Sequence, residues 1–245
     1  MAAPVICVDG PSGSGKGTLA RNLAAELGFS YLDSGALYRI LAVLSQRESV
    51  SPEDENSLAE IAAKIRVRFE NDQVLLNGED LSPEVRLETT AAVASKVAAH
   101  PKVRGALVET QRAYAEQPGL IADGRDMGTQ IFPEAPLKIF LIASAEERAK
   151  RRLLQLEELE EKKRASEQQN TAETLENKDL NPVERGDRLR ALVKDIEARD
   201  ERDRNRASCP LRPASDAIEI DCTRLSIDEV LAKVLELWQQ AKKAR

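Results

Sequence analysis

The residues best suited to chemistry lie in one stretch, Gly10-Pro11-Ser12-Gly13-Ser14-Gly15-Lys16-Gly17-Thr18. Gly10, Gly15 and Lys16 have the phosphate-binding spacing G-x-x-x-x-G-K, except that Gly17 follows the lysine and the hydroxyl arrives one residue later, at Thr18. Glycines let backbone N–H groups approach phosphate oxygens, while a helix N-terminus and the Lys16 ammonium add positive potential. A plain Gly/Ser turn between a strand and a helix has a similar composition. The coincidence of spacing, lysine and flanking patterns favours a polyphosphate site.

Asp123 is a second candidate, because it ends the apolar run Leu120-Ile121-Ala122 and precedes Gly124-Arg125-Asp126. At the carboxyl edge of an open α/β sheet such a carboxylate is placed to hold magnesium near the phosphates, directly or through water. Thr18 is the other metal candidate. Arg125 then suits an acceptor phosphate, and Asp126 a hydrogen bond to the acceptor. Arg148, Arg151 and Arg152 fall at i, i+3 and i+4, and Arg199, Arg202, Asp203 and Arg206 within about one hundred degrees of helical arc. Charged faces are commonly just solvated; beside a phosphate loop they fit a lid that brings positive charge and excludes water. The single histidine, His100, stands before Pro101 and reads as a turn residue, so no histidine relay is expected.

These residues need a scaffold, and the chain reads as α/β. Residues 5–8 form a buried strand, and Leu19, Leu23 and Leu27 mark the following helix, which Gly28 ends. Phe29 to Asp33 is a second strand, completing a βαβ unit with right-handed crossover. A helix runs from Ser34 through Leu44, and Ser51-Pro52-Glu53-Asp54 is expected to open another, with Pro52 in its first turn. Arg66 to Glu70 and Val74 to Leu76, before Asn77-Gly78, suggest a small antiparallel hairpin element in an inserted lobe. Helices are expected at about 85–98 and 103–115. Strands at 120–123 and 137–142 restore the core sheet, and Ser144 with Glu147 caps the next helix. Residues 156–181 are charged and poor in large apolar side chains, which suits a solvated helix or mobile segment. A long helix is expected at 182–206, a fifth strand at 218–221 and a final helix carrying Val230, Val234 and Trp238.

The 245 residues bury a sizeable core, and the net charge of −6 argues against a general nucleic-acid or membrane surface. Three cysteines, Cys7, Cys209 and Cys222, lack metal-ligand spacing and read as reduced thiols. No run reaches the ~18 apolar residues of a membrane span, and no leader pattern opens the chain. A soluble, cytoplasmic protein is expected.

Taken together, Asp9 to Thr18, Leu32-Asp33-Ser34-Gly35-Ala36-Leu37-Tyr38-Arg39, Ala94 to Ala98, Ile121 to Thr129 and Arg202-Asp203-Arg204-Asn205-Arg206 resemble the bacterial cytidylate kinases, among the nucleoside monophosphate kinases of the P-loop class. The resemblance runs from Val5 to about Trp238. It implies a three-layer core with a five-stranded parallel sheet, an acceptor-binding lobe containing a small antiparallel sheet, and a helical lid. The corresponding division is core 1–33, 116–150 and 207–245, lobe 34–115 and lid 151–206.

The resemblance further implies ATP as donor, magnesium, and transfer to CMP or dCMP. It places Gly10, Pro11, Ser12, Gly13, Ser14, Gly15, Lys16, Gly17 and Thr18 around the donor, with Arg148 and Arg152 as lid arginines. Asp33, Ser34, Arg39, Arg125, Arg199, Asp203 and Arg206 would bind the acceptor's phosphate and sugar, and Ser95, Arg104 and Asp126 its base. Lys16, Arg125, Arg152 and Arg206 would act on the transferring group. Cytosine offers an amino donor to a carboxylate, and acceptors at N3 and O2; uracil reverses the polarity at positions 3 and 4. A monomer without nucleic-acid or membrane partners is expected. The charged stretch of the lid is longer than is usual in the family. Other readings are a kinase for UMP, GMP or a non-nucleotide alcohol on the same core, and an ATP-hydrolysing switch.

Overall fold

Two mainly apolar segments, each with an aspartate at or next to its carboxyl end, form the centre of the sheet. Strand β1 (Val5–Asp9) and strand β6 (Leu120–Gly124) are buried at every position, as a parallel strand covered on both faces must be. The computed structural model describes residues 3–70, 73–168, 182–206 and 208–243. In it, β2 (Ser30–Asp33), β6, β1, β7 (Leu137–Ile142) and β8 (Ile218–Asp221) pair in that order, all parallel. Along β1, Val5 and Cys7 enter the core on one face while Ile6 and Val8 enter the core on the other. This period of two separates the layers.

Helix α1 (Lys16–Leu27) buries Leu19 and Leu23 on one face and packs near α9 (Ile227–Lys243), where Phe29 and Trp238 meet edge to face at 5.9 Å. On the other face lies α2 (Ser34–Arg47), which starts where the Ala36 N–H donates to Asp33. The chain then runs through α3 (Glu55–Lys64) into a second sheet of β3 (Val67–Glu70), β4 (Gln73–Leu76) and β5 (Glu79–Asp80), antiparallel throughout. Asn77 and Gly78 turn β4 into β5 with φ of 52° and 88°, the left-handed pair a tight hairpin needs. Short α4 (Ser82–Val85), α5 (Glu88–Val97) and α6 (Pro101–Arg112) return the chain to β6. A π-helical turn, Met127–Ile131, links β6 toward β7. Helices α7 (Ala145–Gln168) and α8 (Pro182–Arg204) pack against each other before β8.

Several boundaries differ from those expected. The helix assigned to start at Pro52 begins instead at Glu55, because the Asp54 carboxylate accepts the Ser57 N–H and caps it there. The helix expected at 85–98 is two, since Leu87 is extended at ψ 142° and interrupts it. The following helix starts at Pro101, whose missing N–H is no loss in a first turn, and ends at Arg112. The Asn77-Gly78 turn leads into a third antiparallel strand, β5. Helix α7 continues through the charged stretch to Gln168; the remainder, 169–181, lies outside the described residues. Among the described residues, no helix is long and apolar enough to cross a membrane.

The end of β1 is tied down by Asp9, which is buried and accepts the Met127 N–H at 2.9 Å and the Gly128 N–H at 2.8 Å. Burial pushes its carboxyl up to about 7, against the pull of those two donors. The folded value is above the ordinary 3.8, so the native state holds a proton that the unfolded chain releases. This contribution to stability is complete below 3.8 and is lost as pH rises through about 7. Asp9→Asn should therefore show a flatter pH dependence of stability between pH 4 and 7 than the unmodified chain. Its overall stability should be lower by about 1–3 kcal/mol, because the amide oxygen leaves one N–H without a strong acceptor. Urea melts at a series of pH values read both effects; parallel pH curves would show that Asp9 does not titrate in this way.

Candidate active site

Parallel register brings two carboxylates together at one edge of the sheet. Asp33 aligns with Asp123, and Asp123 with Val8, just before the glycine-rich loop. The loop leaves β1 at Gly10, where φ is 147° and a Cβ would overlap the Leu141 carbonyl oxygen. Only glycine fits there. Gly15, in the left-handed region at φ 91°, caps α1, so the first turn of that helix presents its N–H groups at the loop. Lys16 folds back over the loop: its Nζ donates to the Pro11 carbonyl at 3.0 Å and stands 4.0 Å from Asp123 Oδ1. Ser14 Oγ donates to the same carbonyl.

Beside the loop opens a cavity of about 1050 Å³, lined by nine basic side chains against five acidic ones. The chain as a whole carries −6, so the positive surplus is local. Of the residues singled out from sequence, Ser12, Lys16, Asp33, Ser34, Arg39, Ser95, Arg104, Asp123, Arg125, Asp126, Arg152, Arg199, Asp203 and Arg206 line it. The loop supplies the first two, β2 and α2 the next three, and α5 and α6 hold Ser95 and Arg104. Asp123, Arg125 and Asp126 come from the end of β6, Arg152 from α7, and Arg199 and Asp203 from α8.

Two groups stand out within it. Arg104 and Asp126 are buried and paired, with Arg104 also donating to the Ala98 carbonyl at 3.1 Å and lying 5.5 Å over the Tyr38 ring. Asp203 is 1% exposed and gathers Arg125 on one oxygen and Arg206 on the other. Burial alone would raise the Asp203 carboxyl, but Arg125, Arg206 and Arg199 hold it below its ordinary value. Burial, and then Arg125, push Arg199 down to about 10. The buried Nε atoms of Arg104 and Arg199 have no hydrogen-bond partner among the described residues. Arg39 donates to the Val85 carbonyl, while Arg152 pairs with Glu88.

Some expected residues lie elsewhere. Thr18 is exposed and does not line the cavity, since the helix turns it outward one residue past Gly17. Gly10, Pro11, Gly13, Ser14, Gly15 and Gly17 shape the loop without lining the cavity. Arg148, expected to face the donor, is buried: its guanidinium donates to the carbonyls of Ser12 and Ala143 and to Asp200. Arg151 holds the carbonyl of Cys222. Sequence reasoning missed Tyr38, whose ring supports Arg104, and Arg21, which lines the cavity and lies near Gly17. Tyr38 adjoins Arg39 in the stretch Leu32 to Arg39, which is a signal for it; Arg21 lies outside every such stretch.

Burial pushes the Lys16 ammonium below its ordinary 10.5, with Arg125 acting in the same direction, and burial raises Asp123. A phosphate anion at the loop favours the charged lysine and reverses the first shift. ATP binding should thus take up protons at alkaline pH, below 10.5. Calorimetry in buffers of differing ionisation enthalpy would detect this uptake, and it should vanish in Lys16→Met. Proton-neutral binding throughout that range would mean that the free lysine is already fully charged.

The family model described as cytidylate kinase matches residues 6–185 and 165–240. A cytidylate kinase of Pseudomonas fluorescens (strain Pf-5) is 50% identical over 241 residues, covering 96% of this chain and 95% of that protein. One from Serratia proteamaculans (strain 568) is 50% identical over 95% of this chain and 93% of its own. A third, from Salmonella arizonae, is 48% identical over 97% and 96%.

Proposed function

The chain belongs to the cytidylate kinase family, and on that premise we propose which of its residues carry an ATP-dependent phosphorylation of CMP. The observation that carries the assignment is the buried Arg104–Asp126 pair, set in the same cavity as Lys16. An uncompensated buried charge is costly, so the two groups hold each other ready until a base with both a donor and acceptors takes part. Cytosine has that pattern: Asp126 accepts from its amino group, while Arg104 and Ser95 donate to its ring nitrogen and carbonyl oxygen. Uracil would place a carbonyl against the carboxylate. A hydrolysing switch or a kinase for a non-nucleotide alcohol gives this pair no base to read, and UMP presents the opposite polarity.

At the other end, the loop N–H groups and Lys16 hold the donor's phosphates. Arg39, Arg125, Arg199 and Arg206 receive the acceptor phosphate, and Asp203 with Arg199 meets the sugar hydroxyls. Asp33 and Ser34 border the same space, where Ser34 begins α2. Burial, with a smaller contribution from neighbouring arginines, lowers Arg39, Arg152 and Arg199, and phosphates entering among them would favour the charged forms. Arg152 is placed to leave Glu88 for the transferring group as α7 closes. Positioning and charge neutralisation suffice for direct in-line transfer without a covalent protein intermediate.

Magnesium needs only one or two carboxylates when phosphates supply the other ligands, and buried Asp123, beside Asp33, fits that demand through water. The ion would neutralise charge on the phosphates. Thr18, the other candidate, is exposed and does not line the cavity, so Asp123 is the better placed of the two. We further read residues 34–115 as the acceptor lobe, 151–206 as the lid and the remainder as core, with dCMP a second acceptor. A cytoplasmic monomer without a nucleic-acid partner is consistent with the acidic net charge.

An acceptor panel of CMP, dCMP, UMP, AMP and GMP with ATP and magnesium tests the reading. CMP and dCMP should be phosphorylated far faster than the others, and ADP release without acceptor should be slow. Acceptor-independent hydrolysis would favour the switch. Lys16→Met should lower turnover at least ~100-fold with the fold retained. Asp126→Asn should raise KM for CMP more than tenfold, about 1.4 kcal/mol, with KM for ATP within about twofold; equal losses for both would remove Asp126 from base recognition.

A further inference from the structure

Helix α8 carries Arg199, Asp200 and Asp203 within about one turn, and they serve different places. Arg199 and Asp203 line the cavity; Asp200 does not. The Asp200 carboxylate instead takes both terminal nitrogens of Arg148, at 3.1 Å and 2.5 Å, with each side chain 4% exposed. Arg148 Nη1 also donates to the Ser12 carbonyl at 3.0 Å, and Nε to the Ala143 carbonyl at 3.0 Å. One guanidinium therefore spans from the glycine-rich loop to the turn of α8 that presents Arg199 and Asp203. Gly13 closes the contact: a Cβ there would come within 3.2 Å of Arg148 Cβ.

We propose that the Arg148–Asp200 pair is a positioning link that couples occupation of the glycine-rich loop to the placement of Arg199 and Asp203, so that donor and acceptor bind cooperatively. Neither residue lines the cavity, so neither is a catalytic residue. A planar fork on a carboxylate tolerates little displacement, and when buried it cannot exchange partners with water. Arg204 lies 3.8 Å from Asp200 but is 60% exposed, and does not replace Arg148. A shift of Ser12 on binding phosphates is thereby passed to α8 as a movement of the whole turn, and movement of α8 is passed back. The inference rests on the assignment of the loop to the donor and of Arg199 and Asp203 to the acceptor.

The test is calorimetric titration of the full chain with CMP, with and without a nonhydrolysable ATP analogue and magnesium, and the reverse titration. In the unmodified chain each ligand should tighten the other by the same factor, about fivefold or more. In Asp200→Asn that factor should fall to within about twofold of unity, while CMP alone binds within about threefold of the unmodified affinity. If thermal melting shows Asp200→Asn unfolded, Arg148→Lys, which keeps the charge and loses the fork, is expected to give the same loss of coupling. Undiminished coupling in a folded variant would overturn the proposal. So would absence of coupling in the unmodified chain, or equal loss of both single-ligand affinities, which marks a merely structural pair. Failure of the unmodified chain to bind CMP at all would instead refute the acceptor assignment itself.

Discussion

Parallel pairing of β1 with β6 is the constraint on which the cleft depends. In that register Asp9 aligns with Gly124 and Val8 with Asp123, while β2 on the far side of β6 sets Asp33 beside Asp123. Shifting β6 by one residue would turn its side chains to the opposite faces and remove Asp123 from Lys16. Asp9 reinforces the register from the strand end by holding the N–H groups of Met127 and Gly128. The loop, the Asp123 carboxylate and the turn carrying Arg125 and Asp126 thus share one edge of the sheet.

On that edge the protein tolerates unusual charge density. Arg104, Asp126, Asp123, Lys16 and Asp203 are all buried. Each has an opposite charge close by, which is the condition for keeping such groups away from water. The pairing is incomplete by design of the residue set, since basic side chains outnumber acidic ones and two guanidinium Nε atoms have no hydrogen-bond partner among the described residues. A surplus of positive charge of this kind favours anionic ligands.

The two long helices differ in kind from this edge. Along their outer parts, α7 and α8 are joined by Arg185–Glu157 and Arg188–Glu160, pairs exposed enough that each contributes little. Near their other ends the Arg148–Asp200 pair is buried and reaches the loop. Exposed outer pairs and a buried inner pair thus leave the two helices loosely joined at one end and firmly joined at the other.

The sequence by itself determined whatever depends on neighbouring residues. Glycine and lysine spacing located the loop, apolar runs located β1, β6 and β7, and Asn77-Gly78 marked a hairpin. Motif by motif, most of the charged cavity-lining residues were legible, because the family resemblance ties each to a local pattern; Arg21, Arg86 and Glu158 were not. Tertiary structure decided where side chains on the same local pattern end up. Arg148 and Arg152 lie four residues apart on a charged helix without an apolar stripe, and the family resemblance placed them together over the donor. One is instead drawn behind the loop by Asp200, 52 residues away, while the other reaches the cavity and Glu88. The break at Leu87 was not legible in its neighbours, which read as one continuous helical pattern, whereas Thr18 faces outward by helical phase, one residue past Gly17.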